Sequence, residues 1–209
     1  NYNGQKDNVT EKEAECLFIA PEAHILLVDD NELNLVVAKE LLKPLRMQID
    51  TAENGLQAVK MVRGSQYDLV LMDHMMPVMD GIEAAKAIRA LPEDKYQKLP
   101  IIALTANAMV DARKEFLNAG MNGFVAKPID FARICNQLKL WLPKDLVRDV
   151  PKEEAKKLLA DDLSDREIQP EDPQMGFSFE EGVKHCGSKA ALMKTIRIFY
   201  RTIDSKANK

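Results

Sequence analysis

Between residues 23 and 142 the chain alternates short apolar runs with longer stretches in which apolar residues recur at helical spacing. Leu33, Val37 and Leu41 show that spacing directly after the first run. The apolar runs predict five strands: His24–Val28, Met47–Ala52, Asp68–Met72, Pro100–Leu104 and Gly123–Ala126. The pattern therefore predicts five strand–helix units in succession.

The third and fourth runs, Leu-Val-Leu-Met and Ile-Ile-Ala-Leu, contain no polar alternation. This is typical of parallel strands that helices cover on both faces. Asn31 and Asp80 are placed as helix N-caps, and Gly64 and Gly120 lie just past predicted helix ends. We therefore predict a doubly wound α/β domain with a five-stranded parallel sheet, for which the strand order 2-1-3-4-5 is expected.

The flanks of this domain differ from it in composition. Residues 1–22 are predicted to be an N-terminal connector. Residues 143–173 contain four prolines, an excess of acidic side chains and few large apolar ones, which predicts a solvated acidic linker with one short helix, Lys152–Ala160. Residues 174–209 have the pattern of two helices, Phe179–Cys186 and Ser188–Ser205, in a segment too short to bury a core of its own.

The overall composition excludes several classes of protein. The 209 residues are 46% hydrophobic and carry a formal net charge of -4, which gives no support to a nucleic-acid binder. No apolar run approaches the roughly 18 residues of a membrane-spanning helix. Three cysteines without metal-site spacing favour a reducing compartment, so we expect a cytoplasmic location. The first residue is Asn1 rather than Met, which suggests a piece of a longer protein.

Polar side chains follow four of the five predicted strands. The first strand leads into Asp29 and Asp30, the third into Asp73, the fourth into Thr105 and the fifth into Lys127. Open α/β sheets bind ligands beyond the carboxyl ends of their strands, where the strand order reverses. With the predicted order, the three carboxylates converge on one pocket beside the hydroxyl and the ammonium.

Three carboxylates this close repel one another, and we expect them to stay ionised only with a cation among them. An all-oxygen site of high charge favours Mg²⁺. A carboxylate beside such an ion can attack phosphorus and form an acyl phosphate, while an ammonium and a hydroxyl hold the transferred oxygens. Each aspartate alone is equally well explained as a turn or cap residue, but the five groups together point to phosphoryl chemistry.

The stretches ILLVDDNELN, LVLMDHMMPVMDG, LTANA and FVAKP resemble those of a two-component receiver (response-regulator) domain, over residues 23–142. The resemblance implies a flavodoxin-like (βα)5 fold. It also implies that Asp73 is the phosphoacceptor. The Mg²⁺ ligands that it implies are Asp29 (through water), Asp30, Asp73 and the backbone carbonyl of Met75.

The same resemblance implies a switch. Thr105 corresponds to the family's switch hydroxyl, Lys127 to its phosphate-binding lysine and Phe124 to its aromatic switch position. In such domains a cis peptide bond often precedes the proline that here is Pro128. Phosphorylation is expected to draw Thr105 inward, to move the ring of Phe124 and to shift the surface formed by the fourth helix, the fifth strand and the fifth helix.

The flanks carry weaker resemblances. CLFIAPEA is similar to connectors that follow the ATP-binding domain of hybrid sensor kinases, and GFSFEEGVKHCGSKAALMKTIRIFY resembles the opening of a histidine phosphotransfer domain. His185 comes too early to be that domain's phosphorylated histidine. These features suggest part of a hybrid histidine kinase, whose partners are a histidine kinase domain and a histidine phosphotransfer domain. The parent protein could be anchored in the inner membrane.

Several alternatives stay open at this point. A haloacid-dehalogenase-type phosphatase also uses a nucleophilic aspartate, but Met75 stands where that class has a second acid. A response regulator with a non-DNA-binding output, a transcriptional regulator and a degenerate scaffold remain, as does a homodimer. The methionines around Asp73 could form a soft copper site. His74 and His24 are interpreted as structural residues. Met75 and Asn107 predict slow self-hydrolysis, because neither side chain orients water well.

Overall fold

The computed structural model describes residues 11–106 and 110–163. Its strands are β1 (Phe18–Ile19), β2 (His24–Val28), β3 (Gln48–Ala52), β4 (Leu69–Asp73), β5 (Ile101–Thr105), β6 (Gly123–Ala126) and β7 (Arg148–Asp149). Its helices are α1 (Glu11–Cys16), α2 (Glu32–Leu42), α3 (Gly55–Gly64), α4 (Gly81–Arg89), α5 (Asp94–Lys98), α6 (Val110–Asn118), α7 (Phe131–Trp141) and α8 (Lys152–Leu163), with a 3-10 turn at Lys43–Leu45. Within these ranges no helix has both the length and the apolar character that crossing a bilayer requires.

The central sheet has five parallel strands in the order β3-β2-β4-β5-β6. This confirms the predicted doubly wound sheet and its 2-1-3-4-5 order. Two predicted strand ends were one residue too early, because Asp73 and Thr105 still pair with Leu104 and Ala126 and so are the last residues of β4 and β5. Polar character marked these residues as lying beyond the strands, although the backbone pairing continues through them.

Apolar layers cover both faces of the sheet. Along β2, Ile25 and Leu27 face a core shared with α2 and α7, whereas Leu26 and Val28 face a core shared with the helices from α3 to α6. Successive residues of a strand point to opposite faces, so a strand buried on both sides must be apolar at every position. This explains the lack of polar alternation in the sequence.

The predicted N-caps are confirmed. The side chain of Asn31 accepts the N–H of Leu33 at 2.9 Å at the start of α2. Asp80 and Glu83 form a reciprocal capping box at the start of α4. Gly120 follows α6 with φ +83°, as a left-handed position requires. Gly64 is the last residue of α3 and does not lie past its end, which corrects the prediction by one residue.

Segments on either side of the sheet domain pack together, and we call residues 11–19 and 148–163 the flanking annex. Strand β1 pairs antiparallel with β7, with Phe18 opposite Asp149. The Lys152 ammonium of α8 lies 2.9 Å from the Glu15 carboxylate of α1. The side chains of Phe18 and Leu159 are buried in the same core as α7. The annex therefore extends the core on the α2–α7 side.

The annex corrects the prediction of a solvated linker for residues 143–163. The helix predicted over Lys152–Ala160 runs on to Leu163, and Ala155 and Leu159 are buried. Helix α8 packs against α1 and against the 3-10 turn Lys43–Leu45, which are distant in sequence, so the local pattern of a charged helix could not reveal the packing. The boundaries at residues 22/23 and 142/143 stay predictions. The predicted helical fragment at 174–209 lies outside the described residues.

Candidate functional site

The described part of the chain buries three polar or charged residues, Asp29, Asp73 and Thr105, which are 2%, 6% and 1% exposed. Asp73 and Thr105 end β4 and β5, and Asp29 directly follows β2, so all three lie at the carboxyl edge of the sheet. Buried carboxylates are costly unless they are paired and hydrogen-bonded. The three buried polar residues are therefore all residues that the sequence predicted to be part of the site.

Lys127, directly after β6, supplies the pairing. Its Nζ atom lies 2.7 Å from Oδ2 of Asp29 and 2.8 Å from Oδ2 of Asp73. Its backbone N–H donates to the carbonyl of Thr105 at 2.7 Å, and the peptide bond to Pro128 is cis, as the resemblance implied. One ammonium therefore bridges two carboxylates that come from different strands.

The second oxygen of Asp29 is held by the start of α2. Oδ1 accepts the backbone N–H of Asn31 at 3.0 Å and the side-chain N–H of Asn34 at 2.9 Å. Both carboxylate oxygens of Asp29 are thus engaged, which fixes the orientation of its side chain. Asn34 is not among the site residues predicted from the sequence, although its place in the first turn of α2 is a usable signal.

Asp73 lies in a finely balanced electrostatic environment. Burial raises the pKa of Asp73 above its ordinary value, the hydrogen bond and positive charge of Lys127 oppose that rise, and the negative charge of Asp29 adds to it. Burial by itself lowers the pKa of Lys127, but its hydrogen bonds to Asp29 and Asp73 outweigh this and the pKa is raised. Lys127 therefore stays charged. Further positive charge near Asp73 would favour the ionised form of the Asp73 carboxyl.

The three predicted acidic ligands come together. Asp29, Asp30 and Asp73 each offer a carboxylate oxygen, and these oxygens lie within 4.8 Å of one another, with Asp30 at the exposed rim. Such an oxygen set suits a hard divalent cation. The side chain of Met75 is 73% exposed. The Lys127 ammonium is a cation among these carboxylates and pairs with two of them, Asp29 and Asp73.

The loop after β4 is tightly packed against the site. A Cβ atom on Gly81 would lie 2.2 Å from the carbonyl oxygen of Asp73, so only glycine fits there. The N–H of Gly81 donates to the carbonyl of His74 at 3.1 Å. Val78 has φ +70°, a left-handed conformation that is unusual for a β-branched residue. This loop thus holds the end of β4 in place.

The predicted switch residues occupy different environments. Thr105 is almost fully buried, whereas Phe124 of β6 is partly buried and packs against the core of the α3–α6 side. The Phe124 ring centroid lies 6.4 Å from that of Phe116 on α6, and the His74 ring stands edge-on to Phe116 at 5.2 Å. The aromatic neighbours of Phe124 come from distant segments and were not predicted. Asn107 lies outside the described residues.

Four exposed large apolar side chains lie at the carboxyl edge of the sheet, the edge that also carries the acidic pocket, and we call them the apolar rim. They are Leu33, Leu56, Met75 and Val78, at 39%, 41%, 73% and 78% exposure. All four lie on loops or helix starts that follow β2, β3 or β4, at the carboxyl edge of the sheet. Met72 and Met76 are buried, whereas Met75 is exposed, so these methionines do not converge on a soft-metal site.

Comparison with known proteins agrees with this geometry. Residues 25–139 match the response regulator receiver domain family. The chain is 40% identical over 119 residues to the signal transduction histidine-protein kinase BarA of Escherichia coli K12, an alignment that covers 57% of this chain and 13% of that protein. The chain spans less than a fifth of the length of the curated relatives it matches.

Solved structures give the same result. The receiver domain of sensor histidine kinase PA1611 from Pseudomonas aeruginosa, with a magnesium ion coordinated in its active-site cleft, is 40% identical and aligns with TM-score 0.53 over 57% of this chain and 96% of that chain. The receiver domain of Saccharomyces cerevisiae Ssk1, co-crystallised with the histidine phosphotransfer protein Ypd1, is 26% identical and aligns with TM-score 0.55 over 65% of this chain and 99% of that chain.

Proposed function

The chain belongs to the response regulator receiver domain family, whose members accept a phosphoryl group in two-component phosphorelays, and we propose that Asp73 is its phosphoacceptor. The observation that carries this proposal is the Lys127 ammonium between the Asp29 and Asp73 carboxylates, at 2.7 and 2.8 Å. Asp73 is therefore a buried carboxylate at the edge of a pocket in which a positive charge is already present.

In the proposed reaction a carboxylate oxygen of Asp73 attacks the phosphorus of a phosphohistidine. The O–P bond of an acyl phosphate forms, the N–P bond breaks, and the imidazole of the donor leaves with the electron pair. Lys127 moves from neutralising Asp73 to neutralising the transferred oxygens, and the hydroxyl of Thr105 donates to one of them. Passing the group on to a phosphotransfer histidine is the reverse of the same step.

The residues present fit Mg²⁺, because three carboxylate oxygens within 4.8 Å form a hard-cation donor set. We propose that Asp29, Asp30, Asp73 and the backbone carbonyl of Met75 hold the ion. When bound, Mg²⁺ would supply positive charge at the phosphoryl oxygens. The bonds that Asn31 and Asn34 make to Asp29 keep that side chain aimed at the pocket before any ion arrives.

We propose a histidine kinase domain as the phosphoryl donor and a histidine phosphotransfer domain as the acceptor. The apolar rim supports this, since four exposed apolar side chains at the same edge of the sheet as a charged pocket suit a protein surface rather than a small polar substrate. The relatives are histidine kinases several times longer than this chain. We therefore propose that the parent protein is a hybrid histidine kinase with this domain in the cytoplasm.

We also propose that Thr105 and Phe124 form the switch. Thr105 is buried beside Asp73 at the end of the neighbouring strand, and Phe124 lies three residues before Lys127. Drawing the Thr105 hydroxyl toward a phosphoryl group would change the packing behind it, where the partly buried ring of Phe124 lies. The equilibrium between conformations of the surface formed by α6, β6 and α7 would then shift.

Intact-mass measurement tests the proposed function. The full chain is incubated with Mg²⁺ and phosphoramidate, and we expect a mass increase of one phosphoryl group. Asp73→Asn should abolish it, whereas the matched control Asp80→Asn, which keeps an N-cap oxygen on the next helix, should not. Labelling of Asp73→Asn at the rate of the unmodified protein would overturn the proposal.

A further inference from the structure

His74 directly follows Asp73, and hydrogen bonds fix its backbone on both sides. Its N–H donates to the carbonyl of Leu104 at 2.9 Å, and its carbonyl accepts the N–H of Gly81 at 3.1 Å. Residue 74 is therefore tied to the end of β5 and to the start of α4. A change in the spacing of these elements moves its imidazole ring together with the backbone.

The imidazole ring of His74 contacts the core rather than pointing away from it. It stands edge-on to the ring of Phe116, with centroids 5.2 Å apart and an interplanar angle of 74°. Phe116 is 2% exposed. Edge-to-face aromatic pairs stabilise a structure beyond the burial of their area. The contact is thus specific in geometry and lies in a place with little room to relax.

Phe116 in turn contacts Phe124, with ring centroids 6.4 Å apart and an interplanar angle of 41°. Phe124 belongs to β6, the strand that leads into Lys127. Three rings in contact therefore connect His74, which follows Asp73, with β6, the strand that precedes Lys127. The route crosses α6 and does not follow the chain through residues 107–109.

We propose that His74 is a positioning residue that couples the state of Asp73 to Phe124 through the ring of Phe116. The inference rests on the proposed function, because the state in question is phosphorylation of Asp73. A phosphoryl group that draws Thr105 and Lys127 to its oxygens alters the ends of β4 and β5, to which the His74 backbone is bonded. The imidazole then displaces Phe116, and Phe116 displaces Phe124, because close-packed rings cannot yield independently.

A purely space-filling role for His74 makes a different prediction. A filler is replaced equally well by any apolar side chain of similar volume, whereas the coupling needs a flat ring whose edge meets Phe116. His74→Phe keeps a ring at this position, and His74→Leu keeps much of the volume without one. His24→Ala is a matched control, since His24 is also a partly buried histidine in ring contact, with Tyr67 at 4.5 Å, but at the opposite edge of the sheet.

The experiment uses backbone amide chemical shifts of the full chain, recorded with Mg²⁺ before and after addition of beryllofluoride as a phosphoryl mimic. Shifts at Asp29, Asp30 and Lys127 report occupancy of the pocket, and shifts at Phe116 and Phe124 report the coupling. We expect His74→Ala and His74→Leu to retain the pocket shifts and to lose most of the Phe124 shift. His74→Phe and His24→Ala should retain both.

The outcomes separate the two proposals. Pocket shifts together with an undiminished Phe124 response in His74→Leu would overturn the coupling alone. Loss of the Phe124 response in His74→Phe as well would also overturn it, because the ring would then not be what matters. Absence of pocket shifts in the unmodified chain would overturn the proposed function, and the coupling with it. If His74→Ala does not fold, the comparison of His74→Leu with His74→Phe decides the question.

Discussion

The Nζ atom of Lys127 lies 2.8 Å from Oδ2 of Asp73, and the same atom is 2.7 Å from Asp29. A metal ion bound by these carboxylates has to compete with this ammonium for the same two side chains. The repulsion between two cations that share a partly buried pocket amounts to a few kcal/mol at an effective dielectric constant near 20. Lys127 therefore opposes the ion at the stage of binding, although it stabilises the transferred oxygens later.

We predict that Lys127→Ala binds Mg²⁺ about tenfold more tightly than the unmodified chain, because the competing charge is removed. The same variant should accept a phosphoryl group from phosphoramidate more slowly. Isothermal titration with Mg²⁺ and intact-mass kinetics measure the two effects. Lys139→Ala is the control, since its ammonium pairs with the exposed Asp149 away from the pocket. Weaker Mg²⁺ binding by Lys127→Ala would contradict the prediction.

The lifetime of the acyl phosphate is expected to depend on Met75. Its side chain is 73% exposed beside the pocket and cannot orient a water molecule for attack. Met75→Asn supplies a donor and an acceptor at that position, so we predict about tenfold faster self-hydrolysis. The measurement is the loss of phosphoprotein mass after removal of the phosphodonor.

Val78→Asn is the matched control for that experiment, because it places the same amide on the same exposed loop but three residues farther along the chain. If Val78→Asn accelerates hydrolysis as much as Met75→Asn does, added polarity rather than position is responsible. Equal rates for Met75→Asn and the unmodified chain would refute a role for residue 75.

Val78 itself is the subject of a stability prediction. Its φ of +70° is strained for a β-branched side chain, and that side chain is 78% exposed, so little burial is lost when it is replaced. Val78→Asn should raise the free energy of unfolding by about 1 kcal/mol, measured by urea denaturation. Arg46, at φ 58° but without β-branching, offers the comparison. Arg46→Asn should gain less, and destabilisation of Val78→Asn would show that the loop depends on valine.

Tyr67 and Asp50, at the edge of the sheet opposite the pocket, give a pH prediction. The hydroxyl of Tyr67 donates to Asp50 at 2.7 Å and lowers the pKa of that carboxyl, as His24 also does. Burial, together with this bond, raises the pKa of Tyr67 to about 12. Because the pKa of Asp50 is lowered on folding, its contribution to stability is present above the pKa of the unfolded chain and is lost as pH falls through the folded pKa.

Tyr67→Phe should therefore raise the pKa of Asp50 toward its ordinary value, as followed by NMR titration of the carboxyl carbon. It should also destabilise the protein at neutral pH by about 1 kcal/mol at most, since Asp50 is partly exposed, and by less as Asp50 protonates. In an Asp50→Asn background this pH dependence of the Tyr67→Phe effect should vanish. Persistence there would assign the effect to another group.

The flanking annex predicts that a fragment of residues 20–147 is less stable than one of residues 11–163. Removing the annex uncovers the part of the core where Leu17, Phe18 and Leu159 are buried. Each such side chain contributes about 1.5–3 kcal/mol, so we expect a loss of at least about 3 kcal/mol in urea denaturation. Equal stability of the two fragments would mean that the annex rests on the domain without supporting it.

The fold and the acidic site could be predicted because their signals are local. Each strand of the central sheet has its own apolar run, and Asp29, Asp73 and Thr105 each stand at the end of one. The strand order then brings them together without further information. Lys127 likewise stands at the end of a strand and was predicted for that reason. The sequence does not show that its ammonium bridges Asp29 and Asp73, because this depends on the reach of the side chain across two strands.

The features that could not be predicted from the sequence arise from contacts between distant segments. Ala155 and Leu159 lie in a helix that is charged at most positions, and that helix packs against α1 and the 3-10 turn Lys43–Leu45, more than a hundred residues earlier. The rings of His74, Phe116 and Phe124 likewise come from three elements, and no spacing relates them. Local patterns indicate which side chains of a segment are buried, but they do not indicate which other segments those side chains pack against.

The annex also brings the two ends of the described chain close together. Lys152, at the start of α8, is 3.8 Å from Glu11 at the start of α1, and a helix of 12 residues extends only about 18 Å. The chain segments before Glu11 and after Leu163 thus leave the annex within roughly two nanometres of each other. Modules carried by these two segments would meet at an effective concentration that the lengths of their linkers set, so relay between them need not await collision in bulk solution.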